Sequence, residues 1–153
     1  MKLILPTILN VITAIVVFYI SYLTKFSFIL PDILNKKILG LIIVYLGMII
    51  VIWAAWHLKK GFFGGIEPEN ELLIKTGPYK YIRHPVYLGM TIALLGIPII
   101  LKSWIGIIAV FIFFLPSEIY RAKLEEKTLS KKFGKQWDEY LKRSGFFFPS
   151  IKK

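Results

Sequence analysis

Residues 77–89 read GPYKYIRHPVYLG, and most side chains able to do chemistry in this chain gather there or near residue 120. Tyr79, Tyr81 and Tyr87 offer flat amphipathic faces that can pack on an aromatic ring or against a cation. Arg83 and His84 can bond a carboxylate. Downstream, Glu118, Arg121 and Glu125 are spaced three and four apart, which places them on one helical face. Arg121 can hold a carboxylate as a fork, and Glu125 can accept a proton from an amine or hold it in line. Glu126 sits beside Glu125 on another face, so at least one of the two is expected to be structural. Each group also has a plainer role. Arg83 can face lipid phosphate, His84 can bond backbone ahead of a helix, and Glu118, Arg121 and Glu125 can form a buried ion network. The tyrosines can form an interfacial belt, and Trp56 and His57 belong at head-group level.

The elements that must position these groups are apolar. The chain has 153 residues, of which 56% are hydrophobic and 19% charged. Four spans follow, at about 3–22, 38–58, 86–101 and 104–120, because each can cross or nearly cross a hydrocarbon layer of ~30 Å. The expected class is all-α: an integral membrane bundle of four transmembrane helices with an interfacial helix in a tail at 121–153, the whole of 1–153 forming one domain. The first span is read as a membrane helix and not a signal peptide, since the apolar run is long and no small-residue cleavage pattern follows. Gly40, Gly47 and Ala54 make a small-residue stripe that permits close helix approach, including a homodimer. Lys102 and Ser103 form the turn of a hairpin. Pro116 removes an amide and is expected to distort the last span near Ile112. His84, preceding a proline, is pushed toward extended backbone, and Pro85 suits the first turn of the third helix.

Charge orients the spans. With four crossings, 16 of the 20 basic residues fall on the side holding both termini, the 59–84 loop and the tail. That places these segments in the cytoplasm. The net charge of +11 is read as topology and attraction to anionic head groups, without nucleic-acid binding. Irregular chain is expected around Gly61, Gly64 and Gly65, followed by Glu67, Glu69 and Glu71. In the tail, Phe133, Trp137, Tyr140 and Leu141 make an amphipathic face that lies in the interface or caps the bundle. Gly134 weakens the helix locally. Phe146, Phe147 and Phe148 are expected at the membrane edge.

Several classes drop out. No cysteine means no disulfide, no thiolate nucleophile and no cysteine metal site. His57 and His84 are the two histidines and stand far apart, so no metal site is expected. No glycine-rich fingerprint follows a strand, which argues against a soluble nucleotide-binding fold.

The order of motifs is specific. GPYKYIRHPVYLG, an apolar hairpin, Arg121 with Glu125 and Glu126, then Phe133-Gly134 and Tyr140 closely resembles the isoprenylcysteine carboxyl methyltransferase family. That family sits in a wider group of membrane methyltransferases that includes phospholipid N-methyltransferases. The resemblance covers about residues 66–150, and the first two helices carry little signature. It implies S-adenosylmethionine-dependent methyl transfer to a lipophilic acceptor at the cytoplasmic membrane face. It also implies cofactor binding by Leu73, Gly77, Tyr79, His84, Tyr87 and, from the tail, Glu126, with Arg121 and Glu125 placing the acceptor. The first expectation for the acceptor is an isoprenylcysteine-like carboxylate on a prenylated small molecule or protein. The alternatives are a phospholipid or other amine, a membrane reductase, or a protein without catalysis.

Overall fold

The computed structural model describes residues 4–25, 36–58 and 73–150. The glycine- and glutamate-containing stretch around Gly61 and Glu67, with Lys2, Lys152 and Lys153, lies outside the described residues. Within them the chain is almost entirely helical. Its elements are α1 (Ile4–Leu23), α2 (Lys36–Leu58), a short 3-10 turn (Gly77–Lys80), α3 (Pro85–Ile100), α4 (Trp104–Ala109), a π-helical segment (Val110–Phe114), α5 (Leu115–Phe133) and α6 (Lys135–Arg143).

Three helical stretches are long and apolar enough to cross a membrane: Leu5–Leu23, Lys37–Leu58 and Trp104–Phe133. The apolar α3 has 16 residues. At 1.5 Å per residue it reaches about 24 Å, short of a full hydrocarbon layer. The helix of the last span runs on past residue 120. Helix continues through the polar section to Phe133, because the inward face set by Glu118, Arg121 and Glu125 keeps it packed.

Large apolar side chains of α1 and α2 point outward, among them Ile15, Tyr19, Tyr45 and Ile49. In lipid such exposure carries no penalty, while the helix satisfies its own backbone. The face of α1 that turns inward is different: Pro6, Asn10, Val17 and Ser21 are buried. Val17 packs with Ala109, Val110 and Phe114, and Ala14, Ile20, Leu94 and Leu95 surround them. Thr24 Oγ1 lies 2.7 Å from Ser103 Oγ, which joins the end of α1 to the α3–α4 turn. Ser103 Oγ in turn accepts from the Gly106 amide at 2.8 Å and caps α4.

α2 lies along α3. A Cβ at Gly40 would sit 2.9 Å from the Gly96 carbonyl oxygen, and one at Gly47 would sit 2.5 Å from that of Gly89. Glycine pairs at both levels therefore bring the two backbones together. The stripe that the sequence offers to another copy is filled by α3 of the same chain.

The π-helical segment stands where Pro116 was expected to disturb the helix. The Leu115 amide bonds back to the Val110 carbonyl, five residues earlier. This widened turn is how a helix absorbs a following proline without ending. At the other end, Gly134 adopts φ 48° and separates α5 from α6. That reversal lets α6 fold back, with Trp137 and Tyr140 buried.

Candidate functional site

The site begins with backbone. His84 has φ −122° and ψ 57°, and Pro85 opens α3. As residue 84 precedes a proline, its backbone leaves the helical region. The tail then pairs with this segment. The Arg83 amide donates to the Gly145 carbonyl at 2.8 Å, the Gly145 amide to the Tyr81 carbonyl at 2.9 Å, and the His84 amide to the Phe146 carbonyl at 3.3 Å. A parallel bridge of Ile82 with Gly145 results. Phe146 is therefore not directed to the membrane edge. Its ring centroid is 4.8 Å from that of His84, and the Arg83 guanidinium lies over it at 5.9 Å. Among the phenylalanines of that run, Phe148 is the one left largely exposed.

Onto this frame α5 brings its carboxylates. Arg83 Nε donates to Glu126 Oε1 at 2.6 Å, and Arg83 Nη1 to the Ser144 carbonyl at 2.5 Å. His84 Nε2 lies 3.1 Å from the same Glu126 oxygen. The carboxylate accepts, so Nε2 is the donor in this contact. His84 Nδ1 then faces Glu125 Oε2 at 4.0 Å. The Tyr87 hydroxyl donates to Glu125 Oε2 at 2.7 Å. The rings of His84 and Tyr87 stack, with centroids 5.5 Å apart and planes 21° from parallel. Arg121 lies over the other part of this assembly, its guanidinium carbon 5.4 Å from the Tyr87 ring centroid.

Both adjacent glutamates thus reach residues 83–87, although they were read as lying on different helix faces. The wide spread of a glutamate side chain allows this when the facing segment lies between their two directions. Arg83 points inward to Glu126 and Ser144 and not to lipid phosphate.

Tyr140 closes the assembly from α6. Its hydroxyl donates to the Tyr79 carbonyl at 2.6 Å. Burial pushes the Tyr140 phenol up to about 12, and burial pushes the Tyr79 phenol higher still. Both are neutral near pH 7, which keeps Tyr140 a donor. Gly77 has φ 57°, and a Cβ there would meet the ring of His57, whose Nδ1 lies 2.9 Å from the Trp53 carbonyl oxygen. His57 therefore seats the turn before the site instead of standing free at the interface. Leu73 is half-buried ahead of that turn and adds no polar contact to the cluster.

Three buried polar atoms have no hydrogen-bond partner among the described residues: Glu118 Oε2, Arg121 Nε and Asn10 Nδ2. Glu118 is 1% exposed. Asn10 Oδ1 accepts from the Ser117 hydroxyl, the residue before Glu118. Unmet groups of this kind are costly unless a ligand or water completes them. An unpaired carboxylate oxygen suits a cation or an N–H donor, and an unpaired guanidinium N–H suits a carboxylate. S-adenosylmethionine carries a cation, an ammonium, a carboxylate and a flat ring, so this donor and acceptor set fits it.

Of the residues named from sequence, the structure joins His84, Tyr87, Glu125, Glu126 and Arg121 in one cluster, with the backbone of Tyr79 bound to α6 beside it. Sequence reasoning missed the roles of Tyr140, Ser144, Phe146 and His57 here. Tyr140 carried a signal, as an amphipathic aromatic, but not its partner. No group of three or more metal-binding side chains occurs among the described residues.

The phospholipid methyltransferase family profile matches residues 35–136. The chain is 30% identical over 138 residues to the protein-S-isoprenylcysteine O-methyltransferase of Saccharomyces cerevisiae, a match covering 82% of this chain and 57% of that protein. It is 35% identical over 78 residues to the methanethiol S-methyltransferase of Pseudomonas deceptionensis, covering 49% of this chain and 28% of that protein. The chain thus spans little more than half of the first relative and under a third of the second.

Proposed function

The chain belongs to the phospholipid methyltransferase family, and from that premise we propose that it moves a methyl group from S-adenosylmethionine to an acceptor dissolved in the membrane. The supporting observation is the convergence of α3 and α5: Tyr87 meets Glu125, and His84 meets Glu126, across separations of 38 and 42 residues. When bound, the cofactor supplies an electrophilic methyl on a positive sulfur. The chain's own part is alignment and exclusion of water more than acid–base work. Tyr87 and His84 offer the stacked aromatic wall. Glu125, fixed by Tyr87, supplies negative charge, and the unpaired Glu118 oxygen supplies a hydrogen-bond acceptor. Arg121 supplies an N–H for a carboxylate, either of the cofactor or of an acceptor.

The acceptor favoured here is the head-group amine of a phospholipid. The family description supports it, and so does the unpaired carboxylate of Glu118, which suits an N–H donor. An amine nitrogen that gains a methyl group must release a proton, and Glu118 or Glu125 is positioned to take it. A second reading, an isoprenylcysteine-like carboxylate, rests on the unpaired Arg121 N–H and on the name of the yeast relative. Three spans and a shorter α3 are consistent with four crossings that leave both termini on the cytoplasmic face.

The test is transfer of a labelled methyl group from S-adenosylmethionine into total membrane extract, followed by base hydrolysis. Ester products release labelled methanol, and N-methylated lipids keep the label. Label that stays non-volatile on a hydrolysed head group supports the amine reading, labelled methanol supports the carboxylate reading, and no incorporation into either defeats methyl transfer.

A further inference from the structure

Next to the cluster, and sharing none of its acidic or imidazole groups, is a second concavity of about 390 Å³. It is lined by Lys75, Lys80, Tyr81, Glu139, Tyr140 and Arg143. Its walls come from two distant parts of the chain. Lys75, Lys80 and Tyr81 precede α3, while Glu139, Tyr140 and Arg143 belong to α6. The Ile82–Gly145 bridge and the bond from Tyr140 to the Tyr79 carbonyl hold the walls together. The concavity is thus built by tertiary pairing and is not a row of neighbouring lysines on one helix.

Among the described residues its charge is unbalanced. Three cations face one carboxylate, and none of the three is in an ion pair among the described residues. Lys80 Nζ instead lies over the Tyr81 ring, 5.6 Å from its centroid. Like charges converging on one hollow repel each other, and a bound anion removes that repulsion. The volume suits a phosphate-bearing head group. The depth suits one as well. Tyr81 stands just ahead of the apolar α3, where lysine, arginine and tyrosine meet the lipid head groups. Basic side chains at that level are drawn to anionic lipid.

We infer that this groove binds the phosphate of an anionic phospholipid head group through Lys75, Lys80 and Arg143. The lipid spans the segment before α3 and helix α6. It therefore clamps the joint through which the tail braces His84 and Glu126. The inference does not depend on the methyl-transfer reading, since the three binding side chains Lys75, Lys80 and Arg143 belong to no part of that site, although Tyr140 lines both.

The experiment is native mass spectrometry of the full chain released from detergent. Phosphatidylglycerol, phosphatidylcholine and inorganic phosphate are titrated separately and in competition. The expected result is retention of phosphatidylglycerol about tenfold tighter than phosphatidylcholine. That preference should vanish in the combined Lys75→Gln, Lys80→Gln, Arg143→Gln variant and weaken in Lys80→Gln alone. These side chains are exposed, and an unchanged unfolding temperature of Lys80→Gln verifies that the fold is intact. Equal retention of the two lipids by the unaltered chain overturns the inference. So does undiminished phosphatidylglycerol binding in the combined variant. Displacement of the lipid by equimolar inorganic phosphate also overturns it, because the groove would then be a site for soluble anions.

Discussion

The Tyr87 hydroxyl on α3 donates to Glu125 Oε2 on α5 at 2.7 Å, and this bond ties the segment around His84 to the helix that carries the carboxylates. Tyr87→Phe removes the donor and keeps the ring that stacks on His84. A neutral hydrogen bond to a carboxylate is worth about 1.5–3 kcal/mol, much of it in placing the carboxylate. The expected outcome is turnover lowered roughly tenfold, with the unfolding temperature in detergent lowered by only a few degrees. Steady-state kinetics beside a thermal melt separates the two effects. Unchanged turnover would remove Glu125 placement from the mechanism.

Arg83 and Glu126 form the half-buried strut of the same cluster. Deleting one partner leaves an unpaired charge, so Glu126→Ala should destabilise the fold by about 3 kcal/mol. Arg83→Ala should cost a similar amount, and the double substitution should cost less than the two losses added together. Denaturation of the four proteins in mild detergent measures the coupling. Additive losses would mean that the contact carries little energy.

Arg121 lies over Tyr87 and keeps one unpaired N–H among the described residues. With Arg121 placing the acceptor, Arg121→Ala should lower turnover by about tenfold or more while S-adenosylmethionine still binds. Isothermal titration supplies the second half of the test. Complete loss of cofactor affinity would move Arg121 to the cofactor.

Gly47 faces Gly89 across the α2–α3 contact. Gly47→Leu inserts bulk where a Cβ would already meet the Gly89 carbonyl. Overpacking costs about 1–3 kcal/mol where a core can adjust, and here backbone stands in the way. The expected outcome is loss of the folded, monodisperse protein on size-exclusion chromatography. Gly134→Ala provides a contrast, since nothing lies within 4 Å of its Cβ position and its φ of 48° is the source of strain there. Its expected effect is a modest loss of stability with α6 intact.

Sequence showed the helices well because lipid demands long apolar runs with no unpaired backbone. The α3–α4 turn at Lys102–Ser103, the opening of α3 at Pro85 and the disturbance before Pro116 follow from local rules of proline and capping, and the structure has all three. Helical spacing of Glu118, Arg121 and Glu125 was legible past the apolar run, and the helix continues from there to Phe133 without a break. The site was legible in part. Glu118, Arg121 and Glu125 share a face by spacing alone. That Glu126 also turns inward depends on where residues 83–87 lie, which no local pattern encodes. The pairing of Arg83 and Tyr81 with Gly145 is long-range and not periodic, so Ser144 and Phe146 gave no signal. The use of Gly40 and Gly47 against α3 of the same chain is likewise set by tertiary packing.

The most direct measurement of the functional claim is S-adenosylmethionine binding by calorimetry to the unaltered chain and to Tyr87→Phe and His84→Ala, with NADPH as the comparison ligand. Saturable binding of S-adenosylmethionine, weakened in both variants, with no heat from NADPH, is the expected result. Binding of NADPH in its place, or S-adenosylmethionine affinity untouched by either substitution, would contradict a methyl-transfer site built on the α3–α5 convergence.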